Sequence, residues 1–504
     1  MTSFVTTPIF YANGKPHLGH AYSGIVADIC HRFSQLTGEE NVLITGTDEH
    51  GQKIASTAQA AATDIATFVD VKAETFAALW PELTIQPDIF IRTTQSAHKA
   101  HVREVWQQLF ERGDIYLGSY SGQYCVACEQ YYSPRELEDE HCPVHKKPVV
   151  TVAEETYLFR LENYRQQLLD YYLAHPDLIT PSHFQESIMA LLREGPLEDL
   201  SVSRINNSWG VQVPNHSEHT VYVWIDALFS YITAIQQSGH ANTAIANTAH
   251  ILGKDILKFH ALYWPAFLLA LDLPLPKKLV VHGWWTIEGQ KISKSNPQTT
   301  VNPSTFSHQL TADGLRYALV RQKPLYRDGN VAIGELAEVI NADLANNFAN
   351  LVKRNNTLIL KYFDGQLDDN LSQDLDAECE QLLSTSRAQL AQVIGHYQDY
   401  DIYQVTLVLK QLLDQLNTFF HHRAPWLISK GQDRRQTINT CFVIANVLQQ
   451  VALSYLPIVP QLSQRVLTEF GIDETQWRLN PNLPLHTIEI QESNSHFARI
   501  QLNR

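Results

Sequence analysis

Over the first hundred residues, hydrophobic positions switch between two spacings. Residues 4–11 are β-rich and run into a turn containing Gly and Pro. From Ala21 to Leu36 the apolar residues Ile25, Val26, Ile29 and Phe33 then recur at helical spacing. The pattern returns with an apolar stretch over 41–46, a polar turn over 47–51 and an Ala-rich helical stretch from about Ile54. Strands alternating with helices predict a parallel sheet with helices on its faces. The alternation breaks near 115, in Tyr/Gly/Ser-rich sequence, and resumes near 221 with a strand-like run over 221–225. Two further strand-to-helix junctions are expected over 250–255 and 278–283, completing the sheet. Beyond about 335 helical spacing dominates, as in Val405, Leu407, Leu409, Leu412, Leu413 and Leu416 ahead of Phe419 and Phe420, which predicts a helix bundle. The expected layout is a first sheet half over 1–114 and an insertion over 115–219. A second sheet half over 220–275, a segment over 276–340 and the bundle over 341–504 follow.

Composition narrows the class. With 504 residues, 44% of them hydrophobic and 18% charged, the chain is an ordinary globular one, too large to be a small binding module. A net charge of −15 argues against a basic coat for nonspecific DNA binding but leaves room for a local basic groove, so charge alone decides nothing about nucleic acid; DNA is not an expected partner. The apolar run Ala261 to Leu271 stops at Asp272, short of the roughly 20 residues a membrane span needs. No membrane association is expected. The first residues carry no basic region ahead of an apolar run, so the expected location is cytoplasmic.

Four groups of residues carry candidate chemistry. His17-Leu18-Gly19-His20 follows the first strand and opens the first helix. Imidazoles three residues apart lie on one side of a helix N-terminus, where free N–H groups favour phosphate, and Gly19 lets a ligand approach the backbone. The bland alternative is chance spacing among 22 histidines. Lys291-Ile292-Ser293-Lys294-Ser295 sits between Gly289 and Pro297 on a loop. Flexible ammonium groups there suit a polyphosphate that gains charge in a transition state; the alternative is a solvated loop. Cys125-x-x-Cys128 and Cys142-x-x-His145 offer three thiolates and one imidazole, a closed tetrahedral set for one structural Zn²⁺, against the alternative of reduced thiols without metal. Cys30, on an apolar helix face, and Cys379 and Cys441, without ligand neighbours, read as inert. Lastly, Asn341 to Asn350, Lys353-Arg354 and His421-His422-Arg423-Ala424-Pro425-Trp426 place an aromatic ring among cations. Such a group can stack an unpaired RNA base, or else merely cap bundle helices.

Together and in this order, the His17–His20 and Lys291–Ser295 segments resemble the HxGH and KMSKS signatures of class I aminoacyl-tRNA synthetases. The segments 9–14, 47–51, 224–227 and 253–256, with Phe259-His260 and Trp264-Pro265, are similar to those of methionyl-tRNA synthetases, a resemblance running from residue 4 to about 430. It implies an α/β fold: a Rossmann-type parallel-sheet catalytic domain with an inserted connective peptide holding a zinc knuckle within 119–150, then a stem-contact region and a C-terminal helical anticodon-binding domain. It further implies a methionine–tRNA ligase using ATP, Mg²⁺ and L-methionine to charge methionine tRNA.

The same resemblance implies site residues. His17, His20, Lys291 and Lys294 would stabilise the pentavalent α-phosphate and the departing pyrophosphate. Gly19, Gly253, Lys254, Asp255, His282 and Ser293 would complete the ATP site. Ile9, Tyr11, Trp224, Ala227, Leu228, Tyr231, Phe259, His260 and Trp264 would line the methionine pocket, with Asp48 holding the α-amino group. The physics agrees, because a flexible, polarizable thioether makes favourable contacts with aromatic rings and an ammonium calls for a carboxylate. Leu228 stands where the family often has Pro. Trp426 would stack the anticodon with Arg354 beside it, while Asp343 stands near a position where Asn often contributes. Class I enzymes for leucine, isoleucine and valine carry a much larger insertion than 115–219, and a cysteine enzyme would place thiol ligands near its HxGH. A noncatalytic tRNA-binding relative would have no reason to keep both pairs of basic residues. With no appended module visible before Arg504, a monomer is expected.

Overall fold

The structure is a computed structural model. It describes residues 2–125, 130–132, 137–143, 148–205, 208–287, 290–291, 302–430, 433–490, 492–493 and 497–502, with backbone alone at 130–132, 290–291 and 429–430. The chain forms two compact units: Met1–Ala27, Val42–Trp80 and Gln86–His282 in one, Asp28–Asn41, Pro81–Ile85 and Gly283–Arg504 in the other.

The first unit is built on a sheet in the order Phe10–Tyr11, Asn41–Asp48, Ser3–Thr6, Thr248–Gly253, Lys278–His282, Ile179–Thr180, with Ile89–Arg92 also paired to Asn41–Asp48. Parallel registers include Phe4↔Thr248, Gly253↔His282 and Tyr11↔Asp48. Thr248–Gly253 is buried along its whole length, as expected where helices cover both faces. The inserted chain makes its own antiparallel sheet, chiefly Ile115–Cys125 against Val150–Phe159. The half-solvated alternation of Ile115–Cys125 shows that one face of this sheet is open. The insertion also returns to the main sheet, because Ile179–Thr180 pairs in parallel with Lys278–His282.

Two local readings need correction. The run over 221–225 has the β-branched and aromatic residues of a strand, yet only Thr220–Val221 is extended, and Val223–Gln237 is a helix. Its residues from Ile225 to Ile235 are buried, so packing on every side overrides β-propensity. After Lys278–His282 the chain enters another strand, Trp285–Ile287, rather than a helix.

The second unit is mainly helical: Ala312–Arg321, Ile333–Ile340, Asn350–Phe363, Ala377–Gln398, Ile402–Arg423, Arg434–Tyr455 and Pro460–Glu469 are its longer helices, and a π-helical turn, Asn341–Ala349, joins the second to the third. Helix starts are set by side chains: Asp376, Asp401 and Asp433 accept from the N–H groups of Cys379, Gln404 and Arg435. Val405, Leu409, Leu412, Leu413 and Leu416 are buried as their spacing requires. Arg434–Tyr455 is long and apolar enough to cross a membrane, but 94% of its most apolar window is buried inside the fold, so it is the bundle's core helix. Burial pushes the thiols of Cys30 and Cys379 up to about 12 and that of Cys441 higher still, which keeps all three protonated.

Candidate active site

The first helix, Leu18–Leu36, begins beside two imidazoles that cap it. The His17 N–H donates to His20 Nδ1 at 2.9 Å, and the Gly19 N–H donates to His17 Nδ1 at 3.1 Å. With both Nδ1 atoms accepting, the proton of each neutral ring is assigned to Nε2, the nitrogen turned away from the helix backbone. The rings stack with centroids 3.6 Å apart, and Phe10 and Phe76 meet the His20 ring edge-on. A Cβ on Gly19 would come within 3.0 Å of the His17 ring, so the stacked pair needs glycine there.

One turn on, Ser23 ties this helix to the sheet: its hydroxyl bonds to the Gly19 carbonyl at 3.2 Å and to His282 Nε2 at 2.7 Å. His282 ends its strand opposite Gly253, where a Cβ would fall 2.7 Å from Asp255 Oδ1 and 3.5 Å from the His282 ring. Gly19, Gly253, Asp255 and His282 are thus brought together at the strand ends, with half-buried Lys254 next in the chain. This is where a parallel sheet binds ligands. Lys291 pairs through its backbone with Thr286; Ser293 and Lys294 lie outside the described residues.

The aromatic residues also converge. Trp224 and Phe259 stack at 3.6 Å and 13°, and Ile9 and Trp224 lie half-buried against one hydrophobic cluster that includes Leu228, Tyr231, Phe259 and Trp264. The His260 N–H at Nδ1 donates to the Ile256 carbonyl at 3.1 Å, so Nε2 accepts from the Tyr231 hydroxyl at 2.9 Å. Burial lowers the pKa of His260 to about 4, which keeps the ring neutral. Tyr11 lies opposite Asp48 in register, and Asp48 is buried at the strand end. Ala227 is buried on the helix that carries Trp224.

Some polar residues at this site went unassigned in the sequence. Thr6 bonds His250 Nδ1 at 2.7 Å, and the His250 ring lies 4.4 Å from Tyr231. Asp226, between Trp224 and Ala227, takes His50 on one oxygen at 2.7 Å and His98 on the other at 3.0 Å. Burial opposes its charge, but the two imidazoles hold it well below the usual carboxylate range. Three such residues, 176 and 128 positions apart, leave no local motif; only the placement of Asp226 inside the 224–227 segment hinted at it.

Of the knuckle residues, Cys125 and Cys142 are both buried and pack in one small cluster; Cys128 and His145 lie outside the described residues. Two buried thiols side by side fit the donor set of a structural zinc. In the helical unit, the Arg354 guanidinium lies 5.3 Å from the Trp426 ring centre and 4.8 Å from that of Phe420. Trp426 is half-buried, with the His421 ring 5.8 Å away. Asp343 is buried and accepts from the Tyr317 hydroxyl and from Arg321, so it serves the bundle.

The fold and this strand-end cluster define a class I aminoacyl-tRNA synthetase, and the family described as tRNA synthetases class I (M) matches residues 3–152 and 128–356. The methionine–tRNA ligase of Thermotoga maritima is 38% identical over 486 residues, 94% of this chain and 76% of the relative; that of Rickettsia felis is 37% identical, covering 94% and 93%. The Mycobacterium tuberculosis methionyl-tRNA synthetase, solved with methionyl-adenylate, superposes with a TM-score of 0.91 at 32% identity, over 98% of this chain and 99% of that one. The chain belongs to the methionine–tRNA ligase family, which uses ATP to join methionine to its tRNA.

Proposed function

We propose that the two half-reactions are divided among this chain's residues as follows. The methionine carboxylate attacks the α-phosphorus of ATP, a P–O bond forms as the bond to pyrophosphate breaks, and methionyl-adenylate results. His17 and His20, whose Nε2–H groups face away from the helix, donate to phosphate oxygens at the helix N-terminus, where the backbone field favours negative charge. Gly19, Gly253 and His282 shape the nucleotide seat, with Lys254 and Asp255 at its rim. Lys291, Ser293 and Lys294 meet the charge that builds on the pyrophosphate, to which Mg²⁺ arriving with ATP would add further positive charge. Asp48 holds the α-amino group. Trp224, Phe259, Tyr231, Trp264, Ile9, Tyr11, Ala227 and Leu228 surround the thioether, and His260, kept neutral, holds the Tyr231 hydroxyl. The 3′-terminal hydroxyl of the tRNA then attacks the methionyl carbonyl and releases AMP. Trp426 and Arg354 stack an anticodon base, Cys125, Cys128, Cys142 and His145 hold one structural Zn²⁺, and the enzyme works as a cytoplasmic monomer.

The observation that carries this assignment is the stacked His17–His20 pair capping the first helix beside Ser23 and His282. Methionine-dependent exchange of labelled pyrophosphate into ATP tests it. Lys294→Ala should lower the exchange rate about 10²–10³-fold while methionine affinity stays within about two-fold, because the ammonium acts on charge present mainly in the transition state. Unchanged exchange would remove the loop from the reaction.

A further inference from the structure

Away from the strand ends, the inserted sheet carries a second group of metal-ligating side chains. Residues 211–221 form a hairpin: Gln212 bridges Thr220, and the Val213 N–H donates to the His219 carbonyl at 3.0 Å. Its tip turns twice in succession, through His216 N–H to Val213 O and His219 N–H to His216 O, with Asn215 in the left-handed region at φ 60°. These turns bring the His216 and His219 rings to 4.5 Å between centroids. Glu155 comes from the neighbouring strand Val150–Phe159, and one ligand atom from each of the three residues lies within 4.8 Å of the others.

The imidazoles are already oriented. His216 Nδ1 pairs with the Tyr157 hydroxyl at 2.9 Å and His219 Nδ1 with the Ser203 hydroxyl at 3.0 Å. That leaves Nε2 on each ring, and His219 Nε2 lies 3.8 Å from Glu155 Oε1, too far for a hydrogen bond. Metal-ligating histidines show this arrangement, with one ring nitrogen held by a polar partner and the other turned to the ion. Two imidazoles and one carboxylate, with solvent on the remaining side, make a three-ligand site for a divalent transition metal with an open fourth position. Glu155 is the mobile ligand, with 57% of its side chain exposed, so it can close the remaining gap. Strand alternation turns Glu154 the other way, towards Arg204 at 4.0 Å, and out of the set.

We propose that Glu155, His216 and His219 form a divalent transition-metal site, distinct from the cysteine knuckle, that clips the 211–221 hairpin to the inserted sheet. The hairpin runs directly into the helix bearing Trp224, so the ion would stiffen one support of that helix. The full-length protein with its knuckle loaded is titrated with Zn²⁺ and, separately, with Co²⁺. Wild type should take up one equivalent beyond the knuckle, and Co²⁺ there should give a d–d spectrum without a thiolate charge-transfer band. His216→Asn, at the half-buried tip, should weaken this uptake at least about 100-fold, and Glu155→Gln about 10-fold, while Glu154→Gln leaves it unchanged. Equal uptake by wild type and His216→Asn, or a cobalt spectrum made only of thiolate bands, would overturn the proposal.

Discussion

The sheet unit is rich in buried histidine, whereas both buried arginines among the described residues lie in the helical unit, and the difference shows what each kind of buried base demands of its surroundings. The sheet unit buries His50, His98, His101, His250, His260 and His282, each 8% exposed or less. The helical unit buries Arg316 and Arg423, along with His31 and Lys323. An arginine stays charged at any physiological pH, so its burial demands permanent partners. Arg316 has them in Asp28 at 2.6 Å and the carbonyls of Leu83, Pro457 and Ile458; Arg423 has Asp376 and Glu378. A buried histidine can remain neutral and offer one donor and one acceptor, as His260 does between Ile256 and Tyr231. It can therefore hold a hydroxyl such as that of Tyr231 in place without burying a net charge.

Breaking the comparison on the architectural side should give the largest effect. Arg316→Met strips donors from three carbonyls and from Asp28, so urea unfolding should show a loss of about 3–5 kcal/mol, while the folded fraction keeps its pyrophosphate exchange. A specific loss of exchange with stability intact would mean Arg316 belongs to the chemistry. On the recognition side, His20→Asn should do the reverse. Exchange should fall roughly 10²-fold, with unfolding free energy within about 1 kcal/mol of wild type, since the ring is only partly buried. Smaller again is Trp426→Ala: if the ring stacks one base, its loss costs about 1–3 kcal/mol and should lower kcat/KM for tRNA about 5- to 150-fold. Pyrophosphate exchange should not change. If both fall together, the Arg354–Trp426 contact is part of the bundle's frame.

The same contrast explains what could be read from the sequence. Contiguous features were legible: the pair at 17 and 20, the strands of the parallel sheet and the apolar spacing over 405–416 each show within a few residues, where local physics fixes their geometry. Features assembled by topology were not. Asp226 meets His50 and His98, and Ser23 meets His282 across 259 positions, and neither pairing leaves a spacing in the chain. The Val223–Gln237 helix was misread because its β-branched and aromatic residues face a core that surrounds it, a condition no window of sequence reports.

The smallest prediction isolates one neutral histidine. Burial, helped by the neighbouring His98, lowers the pKa of His101 to about 4, and its Nδ1 pairs with Thr233 at 2.8 Å. In the unfolded chain the same ring titrates near 6.5. Above that pH both states are neutral and the group adds no pH dependence. As pH falls below about 6.5 the unfolded chain takes up a proton that the folded one refuses, so stability drops until about pH 4, below which both are protonated. Between pH 7.5 and 6.0 this amounts to about 0.8 kcal/mol for one such histidine. His101→Gln keeps a hydrogen-bonding side chain facing Thr233 and removes the proton site. The variant should therefore lose about 0.8 kcal/mol less than wild type when urea midpoints are compared at those two pH values. Identical losses would mean that His101 titrates normally in the folded protein, and that the sheet unit does not hold this ring neutral.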